Sequence, residues 1–103
     1  MTIRVLRSAR RTIAEGIRFY EALGEGLGAY FLSSIMADLR SLNIYAGVHQ
    51  KFDGGYYRMI CKRFPYSIYY KKEGSNVDVY AVLDDRRDPD WKETRLQGIG
   101  LNE

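Results

Sequence analysis

Cysteine is almost absent from this chain: Cys61 stands alone among 103 residues. A single thiol excludes an internal disulfide framework, and a reducing compartment is the natural setting for such a sequence. Histidine is equally scarce. His49 is the only one, with no second ligand-type residue near it, so no metal site is expected. Long apolar runs are missing, because glycines and charges interrupt every candidate before it reaches membrane-spanning length. The start, MTIRVLRSARR, has no apolar stretch of the secretory type. The glycines of GEGLG fall between two expected helices rather than after a strand, which excludes a phosphate-cradling loop. Repeats and low-complexity tracts are absent. The expectation is one small cytoplasmic domain over residues 1–97, with a frayed tail at 98–103, no membrane partner and no cofactor.

What is present is a globular composition, 46% hydrophobic and 14% aromatic, with a net charge of only +3. The charge is unevenly placed. Arg4, Arg7, Arg10, Arg11 and Arg18 crowd the first part, Lys51, Arg58, Lys62, Arg63, Lys71 and Lys72 the middle, and acids gather in the last third. Such a dipolar distribution suits an anionic partner, although solvated surfaces also show it.

Period-two alternation at residues 2–6 (TIRVL) predicts a short strand. Ser8 is placed to cap a helix with Ile13, Ile17, Tyr20 and Leu23 on one face. After Gly24, Gly26 and Gly28, a second helix over residues 27–42 carries Leu27, Phe31, Ile35, Leu39 and Leu42 at spacings of three and four. The short connection implies an antiparallel helical hairpin. Residues 46–55 (AGVHQKFDGG) read as a loop. Three strands follow at 56–62, 66–72 and 77–83, joined by short turns, which predicts an antiparallel meander. Val77, Val79, Ala81 and Leu83 are expected to lie together under the helices. Asp88 and Pro89 then start a terminal helix as cap and first residue. The order β-α-α-β-β-β-α describes an α+β fold, a helical hairpin packed on one side of a small antiparallel sheet.

The run YYRMICKRFPYSIYYKKEGSNVDVYAVLDDRRDP resembles the C-terminal half of RelE/ParE-superfamily toxins. There a strand with a basic residue leads into an aromatic-rich strand and then an apolar strand ending in arginines. With the preceding strand and hairpin, the resemblance covers roughly residues 2–96. It implies the toxin of a type II toxin–antitoxin module, neutralised by a cognate antitoxin protein. The target would be either DNA gyrase, in the ParE-like branch, or messenger RNA on the ribosome, in the RelE-like branch. Arg58 matches a basic position of the RelE-like nucleases, and Arg86 and Arg87 match the region of their C-terminal arginine, so these three would be catalytic if the chain cut RNA. Ser67 stands where a further arginine is common. Trp91 stands where a proton-transferring tyrosine or histidine is common, and indole exchanges no proton at neutral pH. The resemblance therefore leans to the ParE-like branch, with Arg58, Tyr66, Tyr69, Arg86, Arg87 and Trp91 as binding residues.

Two readings of Arg86 and Arg87 stay open. Asp84, Asp85, Asp88 and Asp90 could hold them in a surface network, with each exposed pair contributing only about 0–1 kcal/mol. Alternatively, adjacent arginines beside a helix start could present a fork to an oxyanion. Tyr56, Tyr57, Tyr66, Tyr69, Tyr70 and Tyr80 interleave with cations as a base-stacking platform would. Tyrosine is also favoured in half-buried sheets. Cys61 reads as a small buried hydrophobe.

Overall fold

A computed structural model describes residues 1–52 and 54–99. The chain runs β1 (Thr2–Val5), α1 (Arg7–Leu23), α2 (Leu27–Tyr45), β2 (Gln50–Phe52), β3 (Tyr56–Ile60), β4 (Tyr66–Glu73), β5 (Asn76–Asp84) and α3 (Pro89–Ile99). The α+β class and the helical hairpin are as expected. Of the expected tail, Gly98 and Ile99 lie in α3, and residues 100–103 fall outside the described residues.

The sheet has the order β1-β5-β4-β3-β2. The β3-β4-β5 meander is antiparallel, whereas β1 joins β5 in parallel, so the complete sheet is mixed. β2 is a strand inside the segment read as loop. Gly54 and Gly55, at φ +86° and +84°, turn the chain back so that residues 50–52 pair with 56–58. A Gly-Gly turn permits this reversal because both positions need positive φ.

α1 starts two residues earlier than a cap at Ser8 would dictate, with Leu6 at the cap position and no side-chain cap. The reason lies in the sheet. Leu6 N–H still donates to the Val79 carbonyl at 3.0 Å, so the chain turns directly from ladder into helix. Ser8 instead donates to the Tyr80 carbonyl at 2.6 Å. One turn later Thr12 Oγ1 accepts the Val82 N–H at 2.9 Å. These two hydroxyls take over the outer edge of β5 where β1 has ended, and buried backbone groups there stay paired. Gly16 lets α2 approach closely: a Cβ there would sit 2.5 Å from the Phe31 ring. Glu21 accepts the Gly26 and Gly28 N–H groups at 3.2 and 2.9 Å, closing the hairpin at the first turn of α2.

The expectation that Val77, Val79, Ala81 and Leu83 share a face is corrected by a β-bulge. Tyr69 pairs with Ala81 and Tyr70 with Val79, leaving Tyr80 as the extra residue. One inserted residue reverses the alternation beyond it. Val77, Val79 and Val82 pack under α1 and α2 with Phe31, Ile35 and Ile68. Ala81 and Leu83 pack on the opposite face with Tyr56, Tyr69 and Leu96. The sheet is therefore covered on both sides, by the hairpin on one and by α3 on the other, rather than on one side alone. No helix among the described residues is long and apolar enough to cross a membrane.

Candidate functional site at the end of strand β5

The acidic and basic run after β5 is resolved by the pleat of the strand, which sends consecutive side chains to opposite faces. Asp84 turns toward the hairpin side and binds Arg86 through both oxygens, Nε–Oδ1 at 2.9 Å and Nη2–Oδ2 at 2.8 Å. Burial pushes the Asp84 carboxyl up, but the hydrogen bonds and charge of Arg86 outweigh it and hold it below its ordinary value. The Arg86 guanidinium also reaches toward Tyr20 Oη at 3.5 Å and lies 5.9 Å from the Phe19 ring.

Asp85 turns the other way. Its Oδ1 accepts from Arg58 Nη2 at 3.1 Å, and Ser67 Oγ lies 2.8 and 2.9 Å from its two oxygens. Arg58 Nε donates to the same Ser67 hydroxyl at 3.2 Å. Both charged side chains are largely sheltered, 24% and 19% exposed. Burial alone would make Arg58 a weaker base; its hydrogen bond and attraction to Asp85 overcome that and raise its pKa. Ser67 occupies the position where the resemblance led one to look for another cation, and it serves as the bridge between this cation and anion.

The six sequence-predicted residues are thus distributed among three places. Arg58 and Tyr69 lie on the α3 face, with Tyr69 fully buried and its hydroxyl without a hydrogen-bond partner among the described residues. Tyr66 lies on the hairpin face, 6% exposed, against Phe31 and Tyr20. Burial, with Asp84 adding to it, pushes the Tyr66 phenol up to about 12. Neither tyrosine offers surface to a partner. Tyr56 and Tyr70 are buried as well, so the half-buried-sheet reading accounts for most of the aromatic series.

Arg86 and Arg87, both exposed, and the half-buried Trp91 form the rim. Arg87 makes no ion pair among the described residues; its guanidinium stacks on Trp91 at 4.7 Å. Arg95 stacks on the same indole at 5.0 Å and pairs with Glu15 at 2.9 Å. Trp91 consequently carries two cation contacts, each contributing roughly 0.5–1 kcal/mol at such a site. Asp88 is spent on the helix, accepting the Trp91 N–H at 2.8 Å.

Arg95 and Glu15 escaped the sequence reading because 80 residues separate them, and no local pattern announces a pair at that distance. His49 hydrogen-bonds through Nδ1 to the Tyr70 hydroxyl, which also accepts the Gly47 N–H at 2.9 Å; burial lowers its pKa. Cys61 is buried and its thiol is pushed well up, by burial first and then by Asp38, so it is no nucleophile. No group of three or more potential metal ligands occurs among the described residues.

No family model and no curated protein matches this chain. Among solved structures, a chain of the chromosomal ParDE toxin–antitoxin (TA) system from P. aeruginosa superposes with a TM-score of 0.72 at 16% identity, covering 80% of this chain and 92% of that one. At this identity the likeness is one of fold, and the fold is the α+β arrangement that the resemblance to RelE/ParE-type toxins implied.

Proposed function

We propose that this chain is the toxin of a type II toxin–antitoxin module, neutralised by a cognate antitoxin in the cytoplasm, and that it acts by binding its target, DNA gyrase, rather than by cutting RNA. The fold likeness and the sequence resemblance support the toxin reading. One observation favours binding over chemistry: the candidate nuclease groups are not assembled. Arg58 and Arg86 are each committed to a different carboxylate, and Tyr66 and Tyr69 are buried phenols. A general acid or base has to reach the reacting oxygen and titrate near the working pH. Beside Arg86 and Arg87, the Tyr66 phenol is buried and pushed up, and the Asp84 carboxyl is held below its ordinary value, so neither is poised to exchange a proton at neutral pH. What the rim does present is two exposed arginines and a stacked indole, residue types that carry much of the energy in protein interfaces.

The test is inducible expression in bacteria with pulse-labelling of protein and DNA synthesis, paired with a purified gyrase cleavage assay. The expected result is early DNA damage with translation intact, gyrase trapped on cleaved DNA, and loss of both effects in Arg86→Ala/Arg87→Ala. Early loss of translation with cut messages would instead favour the ribosome-dependent nuclease, with Arg58, Arg86 and Arg87 as its phosphate-stabilising groups. Normal growth with soluble protein would overturn the toxin assignment.

A further inference from the structure

The outer side of α2 is apolar where a surface helix should be charged. Its inner side buries Phe31, Ile35, Leu39 and Leu42 in the hairpin-side core. A helix with no further partner turns charge to solvent on its other side, as α1 does with Arg7, Arg10, Arg11, Arg18 and Glu21. α2 does not follow that pattern. Among its exposed residues Arg40 is the only charged one, while Tyr30, Leu32, Met36 and Ile44 are 38–77% exposed. A helix that is apolar on both sides is one that a second layer covers.

Two charges border this face, one of each sign. Arg40 lies toward its C-terminal end, and the exposed Glu25 stands just before its first turn. Neither has an ion-pair partner among the described residues. About 22 Å of helix separates them, so they do not meet each other within one chain. Glu21, the other carboxylate at that end, is occupied by the Gly26 and Gly28 N–H groups.

We infer that two copies of this chain pair along the outer face of α2, antiparallel and related by a two-fold axis. Charge complementarity selects the partner and the direction. Antiparallel pairing can set Arg40 of each copy opposite Glu25 of the other, twice by symmetry. That same register sets Met36 opposite Ala29 and Leu32 opposite Ser33, so each large side chain faces a small one. Parallel pairing would set like charges against each other. An acidic helix from another protein would satisfy Arg40 and leave Glu25 facing its own sign. One helix pair of this length lies at the lower end of stable interface sizes, so the dissociation constant should be on the order of 10–100 μM. The pairing is independent of the growth-arrest reading.

Sedimentation equilibrium of the full chain, from about 1 to 500 μM at low ionic strength, measures the association. Arg40→Glu and Glu25→Arg each bring like charges together at both symmetric contacts, and each should weaken the dimer about tenfold. These reversals move the net charge in opposite directions, so weakening by both excludes a net-charge effect. The double variant Glu25→Arg/Arg40→Glu restores opposite signs and should return the dimer to within about threefold of the parent. Circular dichroism verifies that every variant folds. Oxidation of Ala29→Cys/Met36→Cys tests the register. Its two thiols lie about 10 Å apart along one helix, too far to join within a chain, so a disulfide-linked dimer is expected, and Met36→Cys alone should not give one. A chain that stays monomeric throughout the range would overturn the proposal and leave the face to a different protein. A dimer indifferent to the single reversals, or one that the double variant does not restore, would overturn it as well.

Discussion

Arg58 shows how a side chain with the right identity can be in the wrong state for chemistry. Its guanidinium faces Asp85 and Ser67, and the pair is sheltered enough for its removal to be felt. Removing one member strands the other: a buried carboxylate left alone costs up to about 3–5 kcal/mol, and partial exposure lowers this to about 1–3. Arg58→Ala should therefore destabilise the chain by about that amount in urea denaturation. Arg58→Ala/Asp85→Ala should recover part of the loss, since no charge is then left unpaired. Two independent, additive losses would mean that the contact carries no coupling. His49 supplies a second residue-scale prediction with a definite sign. Burial lowers its folded pKa, so on acidification the unfolded chain takes up a proton that the folded imidazole refuses. Stability should fall as the pH drops below about 6.5 and continue falling to the lowered folded pKa. Melting temperatures measured between about pH 7.5 and 5.5 should show this slope, and His49→Gln should flatten it; an equal slope in the variant would assign the effect to another group.

At the scale of elements, the edge of β5 carries the argument. β1 ends at Val5, and past that point Ser8 and Thr12 on α1 hydrogen-bond the strand as a longer β1 would have done. Thr12→Val keeps the shape and removes the acceptor for the Val82 N–H, which is buried. An orphaned buried donor costs about 1–3 kcal/mol, and that loss is expected in thermal or chemical unfolding. A neutral result would show that water reaches the strand there. The same edge marks where sequence reasoning succeeds and where it stops. Asp88 and Pro89 were legible because a cap acts within three residues, and Phe31, Ile35, Leu39 and Leu42 because a buried stripe repeats along one helix. Ser8 misled because its partner is a carbonyl 72 residues away. The bulge at Tyr80 was invisible because Val77, Val79, Ala81 and Leu83 keep a period of two, with Ala81, Val82 and Leu83 apolar on either reading; only pairing with β4 shows that one residue is extra. Of the candidate site, the rim of Arg86, Arg87 and Trp91 was readable as a local cluster, while the division of Asp84 and Asp85 between two faces required the register. Asp85 finds Arg58 27 positions away, and no spacing rule encodes that.

Across the whole molecule, the bulge explains why α3 exists where it does. By sending Ala81 and Leu83 to the second face, it creates an apolar surface with Tyr56 and Tyr69 that α3 covers through Leu96, Trp91 and Ile99. α3 is largely polar, and Leu96, 3% exposed, is its one buried residue. Tyr56 Oη donates to the Leu96 carbonyl at 3.2 Å, and Arg95 ties the same turn to Glu15 on α1. Trp91 and Ile99 flank Leu96 as partly buried contacts, so Leu96 is the one fully buried anchor of the attachment. Truncating a buried leucine to alanine costs about 2–5 kcal/mol, against a total stability of about 5–15 for a domain of ordinary size. The hairpin face has its own core of Phe31, Ile35, Leu42, Ile68 and Val79, which α3 does not touch. Leu96→Asp should then release α3 while the hairpin and meander remain folded. Hydrogen exchange should become fast in α3 alone, and the newly exposed second face should bind a hydrophobic dye. Unfolding of the whole chain in a single step would show the reverse, that the second face is as necessary to the fold as the first.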